Sequence, residues 1–373
     1  MNHVYIHNIR GGGDKMRIGL KNRLVVGMIC MLIVGVLTTG LTSGALAEEK
    51  KEPLLFGASI RSLYLDFFVG LNQGVIDEAE KQRLQLMAVS AELDPTRQLD
   101  QIDSMITLGV DAVILNPQDP RAIIPGVKKL NEAGIPVVTL DTKSLGGDVA
   151  LHISTDNTIA GRKAGENMVK FLEEKYGKPQ GLVLEMWGDP RHVVASQRSE
   201  GFHNVIDNYP EIEVIQKVGH WVEDEAFTIT TDMLTRYGDK LSAIYTHNDG
   251  MALGAVVAIA QAGYEYPKGD PKHVIIASID GFPDALKMVR EGKIDSISVQ
   301  PAYAYGTLAV QWAMKTLKGE KVPAVGTIIT QPGELWSPAV VHQIETGPAL
   351  LVNCPVVPTE VKADDPRLWG NRL

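Results

Sequence analysis

The chain has 373 residues, a formal net charge of −9 at pH 7 and 45% hydrophobic residues. A chain of this length is too long for one hydrophobic core, so we expect two domains. The acidic balance disfavours nucleic acid or an anionic membrane surface as a partner. After residue 47, no stretch is long and apolar enough to cross a bilayer.

The N-terminus has the three parts of a secretory signal peptide. Basic residues at Arg17, Lys21 and Arg23 precede an apolar run over 24–37, which is too short for a membrane span. A segment of small, uncharged residues follows and ends in Ala45-Leu46-Ala47. We therefore predict a leader over 1–47, cleavage after Ala47 and export of the remaining chain.

Two further expectations depend on this leader. Residues 1–15 fit no signal design and Met16 would be a more ordinary start, so the first fifteen residues are treated as a mis-assigned beginning. Cleavage removes Cys30 and leaves only Cys354, which excludes an intramolecular disulfide. The exported chain must therefore be stabilised by burial of its cores.

After the leader, short apolar stretches alternate with stretches of helical periodicity. The pattern predicts strands at 54–59, 84–89, 112–115, 136–140, 181–186, 214–220, 243–246, 274–280 and 296–299. It predicts helices at 67–83, from 95, and at 122–133, 157–176, 193–208, 223–237, 251–262 and 303–317, with a crossing segment at 151–156. Strict alternation with apolar strands favours parallel sheets covered on both faces. The Pro-rich segment 332–373 has short extended pieces and no predicted role.

One pattern occurs once in each half of the chain: a strand followed by an asparagine, a helix, and a strand ending in an aspartate. The first copy carries Asn116 and Asp141, and the second carries Asn248 and Asp280. Ligands bind beyond the carboxyl ends of parallel strands, so two facing sheets would direct all four side chains into one cleft. Each residue alone is more often a turn former or a helix N-cap, but the repetition favours a binding site.

From about Leu54 to Lys318, the chain resembles the periplasmic substrate-binding proteins of sugar ABC transporters, a group typified by the ribose-binding protein. The resemblance rests on FFVGL, ILNP, VVTLD, ISTDN, RSEGF, HNDGMALG, IDGFPDA and a strand ending in Gln300, in the family's order and spacing. It implies an α/β fold of two Rossmann-like lobes with parallel sheets, joined by hinge strands. We expect residues 48–154 and about 301–333 in the N-terminal lobe, and 155–300 and about 334–373 in the C-terminal lobe.

The resemblance also implies a sugar-binding cleft between the lobes. Aromatic side chains would cover the apolar faces of the sugar ring: Phe67, Phe68 and Trp221. Polar side chains would bond its hydroxyl groups: Asn116, Asp141, Arg198, Asn248, Asp280 and Gln300. Leu65 stands where the family has an asparagine, and Thr142 stands where the family has an arginine after the first aspartate. These departures leave open another pentose, a deoxy or methyl sugar, a polyol or a furanosyl signalling molecule.

The function implied by the resemblance is capture of a small sugar or polyol in the periplasm and delivery to the membrane subunits of an ABC permease. We expect a monomer without a cofactor. We also expect no metal site, because the histidines after the leader are dispersed, with no H-x-x-x-H pair and no second thiol. A periplasmic sensor that acts on a chemoreceptor fits the sequence as well. The effector domain of a sugar-responsive repressor shares the fold, but it would need a DNA-binding head where this sequence has an export signal.

An enzyme is the remaining alternative. Asp141 and Asp280 would be the acid–base pair of a glycosidase, since that chemistry needs two carboxylates across a sugar. The sequence has no nucleophile elbow, P-loop or dinucleotide-binding motif. We therefore expect a binding protein in which both aspartates stay ionised, without a raised pKa.

Overall fold

Two β-sheets and the helices that cover them account for most of the structure. The computed structural model describes residues 5–7 and 53–373. Apart from the strand at 5–7, the predicted signal peptide and its cleavage site lie outside the described residues. No helix within the described ranges has the length and apolar character needed to cross a membrane.

The first sheet contains nine strands: β1 (Tyr5–His7), β2 (Leu55–Ile60), β3 (Gln85–Ser90), β4 (Ala112–Leu115), β5 (Val137–Leu140), β6 (Leu151–Thr155), β12 (Ile328–Ile329), β13 (Ala339–Ile344) and β14 (Gly347–Val352). Their order is β1-β3-β2-β4-β5-β6-β14-β13-β12. The strands from β3 to β14 in this order are parallel, and the outer strands β1, β13 and β12 are antiparallel to their neighbours. Four helices cover this sheet: α1 (Asp66–Lys81), α2 (Pro95–Leu108), α3 (Ile124–Glu132) and α9 (Ala302–Leu317).

The second sheet contains six strands: β7 (Gly181–Trp187), β8 (Ile212–Val218), β9 (Leu241–Thr246), β10 (Ile275–Asp280), β11 (Ser296–Val299) and β15 (Val356–Val357). Their order is β15-β11-β10-β9-β7-β8, and only β15 is antiparallel to its neighbour. Its helices are α4 (Asn157–Tyr176), α5 (Val193–Ile206), α6 (Glu223–Tyr237), α7 (Asp249–Gln261) and α8 (Pro283–Arg290). Each sheet with its helices forms one lobe.

Local sequence explains where these elements begin and end. Every residue of β4, β5 and β9 is buried, so these strands are covered on both faces and are predominantly apolar rather than alternating. Helix α2 begins after Asp94, whose carboxylate accepts hydrogen bonds from the backbone N–H groups of Thr96 and Arg97. It ends at Gly109, whose φ of 68° is a left-handed conformation that glycine adopts readily.

The last part of the chain differs from the expected lobe assignment, which placed residues 334–373 in the C-terminal lobe. Strands β13 and β14 belong to the first sheet instead, and β14 pairs with β6 so that Ala349 lies opposite His152. Only β15 returns to the second sheet. The segment predicted as a crossing, 151–156, contains the buried strand β6. If β6 were the edge of the sheet, its outer backbone N–H and C=O groups would be unpaired. The hairpin of β13 and β14 covers that edge.

Candidate functional site

Both copies of the repeated pattern lie at the carboxyl ends of neighbouring parallel strands. Asn116 follows β4 and Asp141 follows β5, while Asn248 comes shortly after β9 and Asp280 ends β10. The two aspartates have positive φ angles of 58° and 135°. Residues other than glycine rarely adopt such conformations, and those that do are concentrated at functional sites.

In the N-terminal lobe, Asn116 orients Asp141. The Asn116 side chain is fully buried, and its Nδ2 donates to the backbone carbonyl of Leu140 at 3.0 Å and to Oδ2 of Asp141 at 3.4 Å. Its Oδ1 accepts from the backbone N–H of Arg61 at 3.3 Å. The Thr142 hydroxyl donates to the same carboxylate oxygen of Asp141 at 3.2 Å. Asn116 therefore ties together the ends of β2, β4 and β5, and its polar atoms are bonded within the protein.

In the C-terminal lobe, three predicted site residues form one buried cluster. Oδ1 of Asp280 accepts from Nε2 of Gln300 at 2.7 Å and from the guanidinium of Arg198 at 3.4 Å. Arg198 also donates to Oδ1 of Asn157 at 2.9 Å and to the backbone carbonyl of His247. The Arg198 side chain, which comes from α5, is thus held in place at several points beside Asp280.

A second hydrogen-bond network, centred on Glu185, is linked to this cluster through His247. The carboxylate of Glu185, on β7, is fully buried and lies 2.9 Å from Nε2 of His203 and 3.1 Å from Nε2 of His247. The hydrogen bond to Glu185 raises the pKa of His203 to about 9. Burial lowers the pKa of His247. His247 is therefore a buried residue that carries the carbonyl contacted by Arg198, rather than an ordinary turn residue.

Asn248 and Trp221 lie next to each other in the C-terminal lobe. Asn248 is the N-cap of α7: its Oδ1 accepts from the backbone N–H of Met251 at 3.1 Å, and its Nδ2 donates to the Trp221 carbonyl at 3.4 Å. The half-buried Trp221 ring lies 5.7 Å from the Arg198 guanidinium carbon, a cation–π distance. Its indole N–H donates to Nδ1 of His192 at 3.1 Å. Trp221 has a φ of 69°, so a left-handed loop directs it towards Arg198.

The two phenylalanines of α1 have different surroundings. Phe67 lies in an aromatic cluster, with its ring centroid 6.1 Å from that of Tyr305 and 6.3 Å from that of Trp369. Phe68 lies below the guanidinium of Arg61, at 5.3 Å. Leu65, one of the two departures from the ribose pattern, precedes α1 and is 42% exposed.

Arg61 lies beside Asn116 and Asp141, and the sequence patterns did not predict it as part of the site. It directly follows β2, and its Nε donates to Oε1 of Gln118 at 3.0 Å. Burial lowers the pKa of Arg61, while the charge of Asp141 acts in the opposite direction. The sequence did contain one indication of this position: Arg61 follows a buried strand at the same sheet edge as Asn116.

The charges of the two lobes act on each other across the cleft. Burial raises the pKa of Asp141, and the charges of Arg61 and Arg198 oppose that shift. Burial likewise raises the pKa of Asp280, opposed by Arg198 and Gln300 and reinforced by Asp141. The prediction that neither aspartate has a raised pKa is therefore wrong. The two carboxylates lie in a cleft that removes water from both and brings their negative charges near one another.

Comparison with known proteins identifies the family. Residues 56–321 match the family model for the periplasmic binding protein domain. The chain belongs to the periplasmic binding protein family. The predicted resemblance and the predicted α/β fold of two lobes are both confirmed. The family match ends at residue 321 and so does not include β12 to β15 or the C-terminus.

Individual relatives show the same relationship. The ribose import binding protein of Bacillus subtilis (strain 168) is 32% identical over 272 residues, which are 73% of this chain and 84% of that protein. A periplasmic solute binding protein from Actinobacillus succinogenes 130z, solved with bound D-allose, has a TM-score of 0.65 and 25% identity, over 72% of this chain and 93% of that one. The arabinose ABC transporter component of Shewanella sp. ANA-3, solved with α- and β-L-arabinofuranose, has a TM-score of 0.65 and 28% identity, over 72% and 88%.

Proposed function

We propose that this protein binds a small, uncharged sugar or polyol between its lobes in the periplasm and delivers it to an ABC permease. One observation carries the proposal: the buried Asp141 of one lobe lies close enough to the Arg198–Asp280–Gln300 cluster of the other for their charges to act on one another's pKa values. Relatives that resemble the chain over most of its length are named for ribose import or were solved with sugars.

The chemistry of these groups suits hydroxyl-rich ligands. Each sugar hydroxyl is both a donor and an acceptor, and planar carboxylates, amides and guanidinium groups make paired bonds to neighbouring hydroxyls. The two aspartates and the two arginines, Arg61 and Arg198, balance in formal charge. A cleft of this kind favours a neutral ligand, because an ionic one would leave one of these buried charges without compensation. The rings of Phe68 and Trp221 are suited to the C–H faces of the sugar.

Binding would proceed by closure of the lobes. Three connections join them, after β6, after β11 and after β14. Contacts from both lobes form together only in the closed state, so the ligand stabilises that state by its differential affinity. The closed form would then dock on the permease. The aspartates act as acceptors in this scheme, and no catalytic step is assigned to them.

A thermal-shift screen of residues 48–373 tests the proposal. The panel contains pentoses, hexoses, deoxy sugars, polyols and furanosyl sugars. A ligand at 100 times its dissociation constant adds about 2.7 kcal/mol to the free energy of unfolding, which raises the melting temperature by a few degrees. We expect at least one neutral sugar or polyol to give such a shift. No shift across the panel, from a folded sample freed of bound ligand, would contradict the proposal.

Asp280→Ala provides the residue-level test of the same proposal. It removes the acceptor shared by Arg198 and Gln300 and should weaken binding by on the order of 2–4 kcal/mol in calorimetric titration, because buried partners remain unpaired. Asp103→Ala, at an exposed position on α2, is the control and should bind normally. Near-normal affinity in Asp280→Ala would mean that the cleft is assigned to the wrong residues.

A further inference from the structure

The C-terminal tail, residues 358–373, follows β15 and lies outside the family match. We propose that Trp369 in this tail is a positioning residue of the binding cleft, and that the tail is a strap that fixes it across both lobes. The inference rests on the proposed function, in which the side chains of Asp280 and Gln300 bind the ligand. Trp369 acts on them through their backbone.

The indole N–H of Trp369 is shared between the backbone carbonyls of these two residues. It lies 3.2 Å from the carbonyl oxygen of Asp280 and 2.8 Å from that of Gln300. The backbone N–H of Gln300 also donates to the Asp280 carbonyl at 3.0 Å. Asp280 has a φ of 135°, a strained conformation that persists only when surrounding contacts hold it. Trp369 supplies one of those contacts, at the backbone carbonyl of Asp280.

The Trp369 ring contacts both lobes. It is 2% exposed, with its centroid 6.3 Å from Phe67 on α1 of the N-terminal lobe and 6.0 Å from Phe282 at the start of α8 of the C-terminal lobe. Gly70 makes the first approach possible, because a Cβ there would lie 2.7 Å from Cε3 of the indole. The ring is therefore enclosed where the two lobes meet.

The rest of the tail is anchored on both sides of Trp369. The Arg290 guanidinium, at the end of α8, donates to the Ala363 carbonyl at 3.0 Å and to Oδ1 of Asn371 at 3.1 Å. On the other lobe, the Arg372 guanidinium lies 4.8 Å from the ring centroid of Tyr303 on α9. The strap thus has a fixed point on each lobe, and Trp369 lies between them.

Trp369→Phe tests the inference because it keeps an aromatic ring and removes the N–H donor. We expect the affinity to fall about tenfold in calorimetric titration, since two buried carbonyls lose a shared donor and the ligand-binding side chains lose their alignment. The probes are D-allose, L-arabinose and the panel sugar that raises the melting temperature most. Trp336→Phe is the matched control: Trp336 is also buried and has no hydrogen bond to Asp280 or Gln300 in the described chain.

The comparison with Trp336→Phe separates positioning from general stability. If Trp369 is a positioning residue, Trp369→Phe binds the ligand more weakly and Trp336→Phe does not. Without ligand, the melting temperature of Trp369→Phe is then no lower than that of Trp336→Phe. Equal affinities in the two variants overturn the inference. If Trp369→Phe does not fold, Arg290→Gln decides, because it loosens the strap far from the cleft: a loss of about threefold in affinity supports the inference and no loss overturns it.

Asp280→Ala, measured in the same series, keeps the two proposals distinguishable. If Asp280→Ala binds normally, the cleft is assigned to the wrong residues and this inference fails with that assignment, while the thermal-shift screen decides the proposed function separately. If Asp280→Ala loses binding while Trp369→Phe retains it, the cleft stands and only the role of Trp369 is overturned.

Discussion

At the scale of single residues, the charged side chains assigned to the cleft are held in place by hydrogen bonds from neighbouring protein groups. Asp280 accepts from Gln300 and Arg198, and Asp141 accepts from Asn116 and Thr142. Groups held in this way lose little further conformational entropy when a ligand binds, which is a general route to affinity. Arg61 belongs to the same set, because burial and the charge of Asp141 both act on its guanidinium.

Arg61→Gln should therefore weaken ligand binding by roughly tenfold, because Asp141 loses a neighbouring positive charge and the ligand loses a donor. Calorimetric titration with the panel sugar that binds most tightly gives the measurement. Arg97→Gln, at an exposed position on α2 in the same lobe, should leave the affinity unchanged. An Arg61→Gln variant that binds as tightly as this control would remove Arg61 from the site.

His203 gives a prediction about pH. Its folded pKa of about 9 exceeds the ordinary value of about 6.5, so its protonated form is favoured in the native state. The stability that it contributes is fully present below pH 6.5 and is lost as the pH rises through about 9, an effect on the order of 2 kcal/mol. His203→Gln should flatten the fall of melting temperature over this range. His342→Gln, at an exposed position, is the control and should leave that fall unchanged. Parallel curves of melting temperature against pH for the unmodified protein and both variants would contradict the prediction.

At the scale of elements, glycines bring pairs of helices into backbone contact in both lobes. On α1 and α9, a Cβ at Gly74 would lie 2.0 Å from the Tyr303 carbonyl oxygen. On α4 and α5, a Cβ at Gly161 would lie 2.0 Å from the carbonyl oxygen of Arg198. The second contact matters for the cleft, since α5 carries Arg198 towards Asp280.

Gly161→Ala should separate α4 from α5, lower the melting temperature by several degrees and weaken ligand binding through displacement of Arg198. Gly165→Ala on the same helix is the control, since its Cβ would lie no closer than 3.1 Å to a neighbour and alanine favours helix. Thermal unfolding and calorimetry give the two measurements. Equal behaviour of both variants would mean that the helices can separate without moving Arg198.

Most elements were predictable from the sequence because their apolar periodicity is long and uninterrupted. Helices α4 and α6 begin and end at the predicted residues, and β4 and β11 do so as well. The pattern failed for β13 and β14, which lie in a Pro-rich segment and owe their place to the open edge of β6, a contact distant in sequence. Helix α8 was missed because its eight residues are too few to show a clear period. Arg61 and Trp369 were missed for a related reason, since the contacts of both residues come from parts of the chain distant in sequence. Only Arg61 had a local signal, its position directly after a buried strand.

At the scale of the whole molecule, neither lobe is a continuous piece of chain. The first sheet combines strands from 55–155 with strands from 328–352, and helix α9 packs against it. The second sheet takes β15 from residues beyond those strands. The two lobes therefore share three connections, which restrict their relative movement to bending about one region. Under the proposed function, bending of these connections would allow closure without rearrangement of either core.

The pairing of β14 with β6 also determines the order in which the molecule can be completed. A ribosome makes residues 151–155 early and residues 347–352 much later, with most of the C-terminal lobe in between. Until the last strands emerge, β6 is an open edge able to pair with another chain. The N-terminal lobe, which begins first, is thus completed only after most of the C-terminal lobe has been made. A chain interrupted before residue 347 exposes a template for aggregation. A contact between strands so distant in sequence also forms slowly, which lengthens the time for which this edge is exposed.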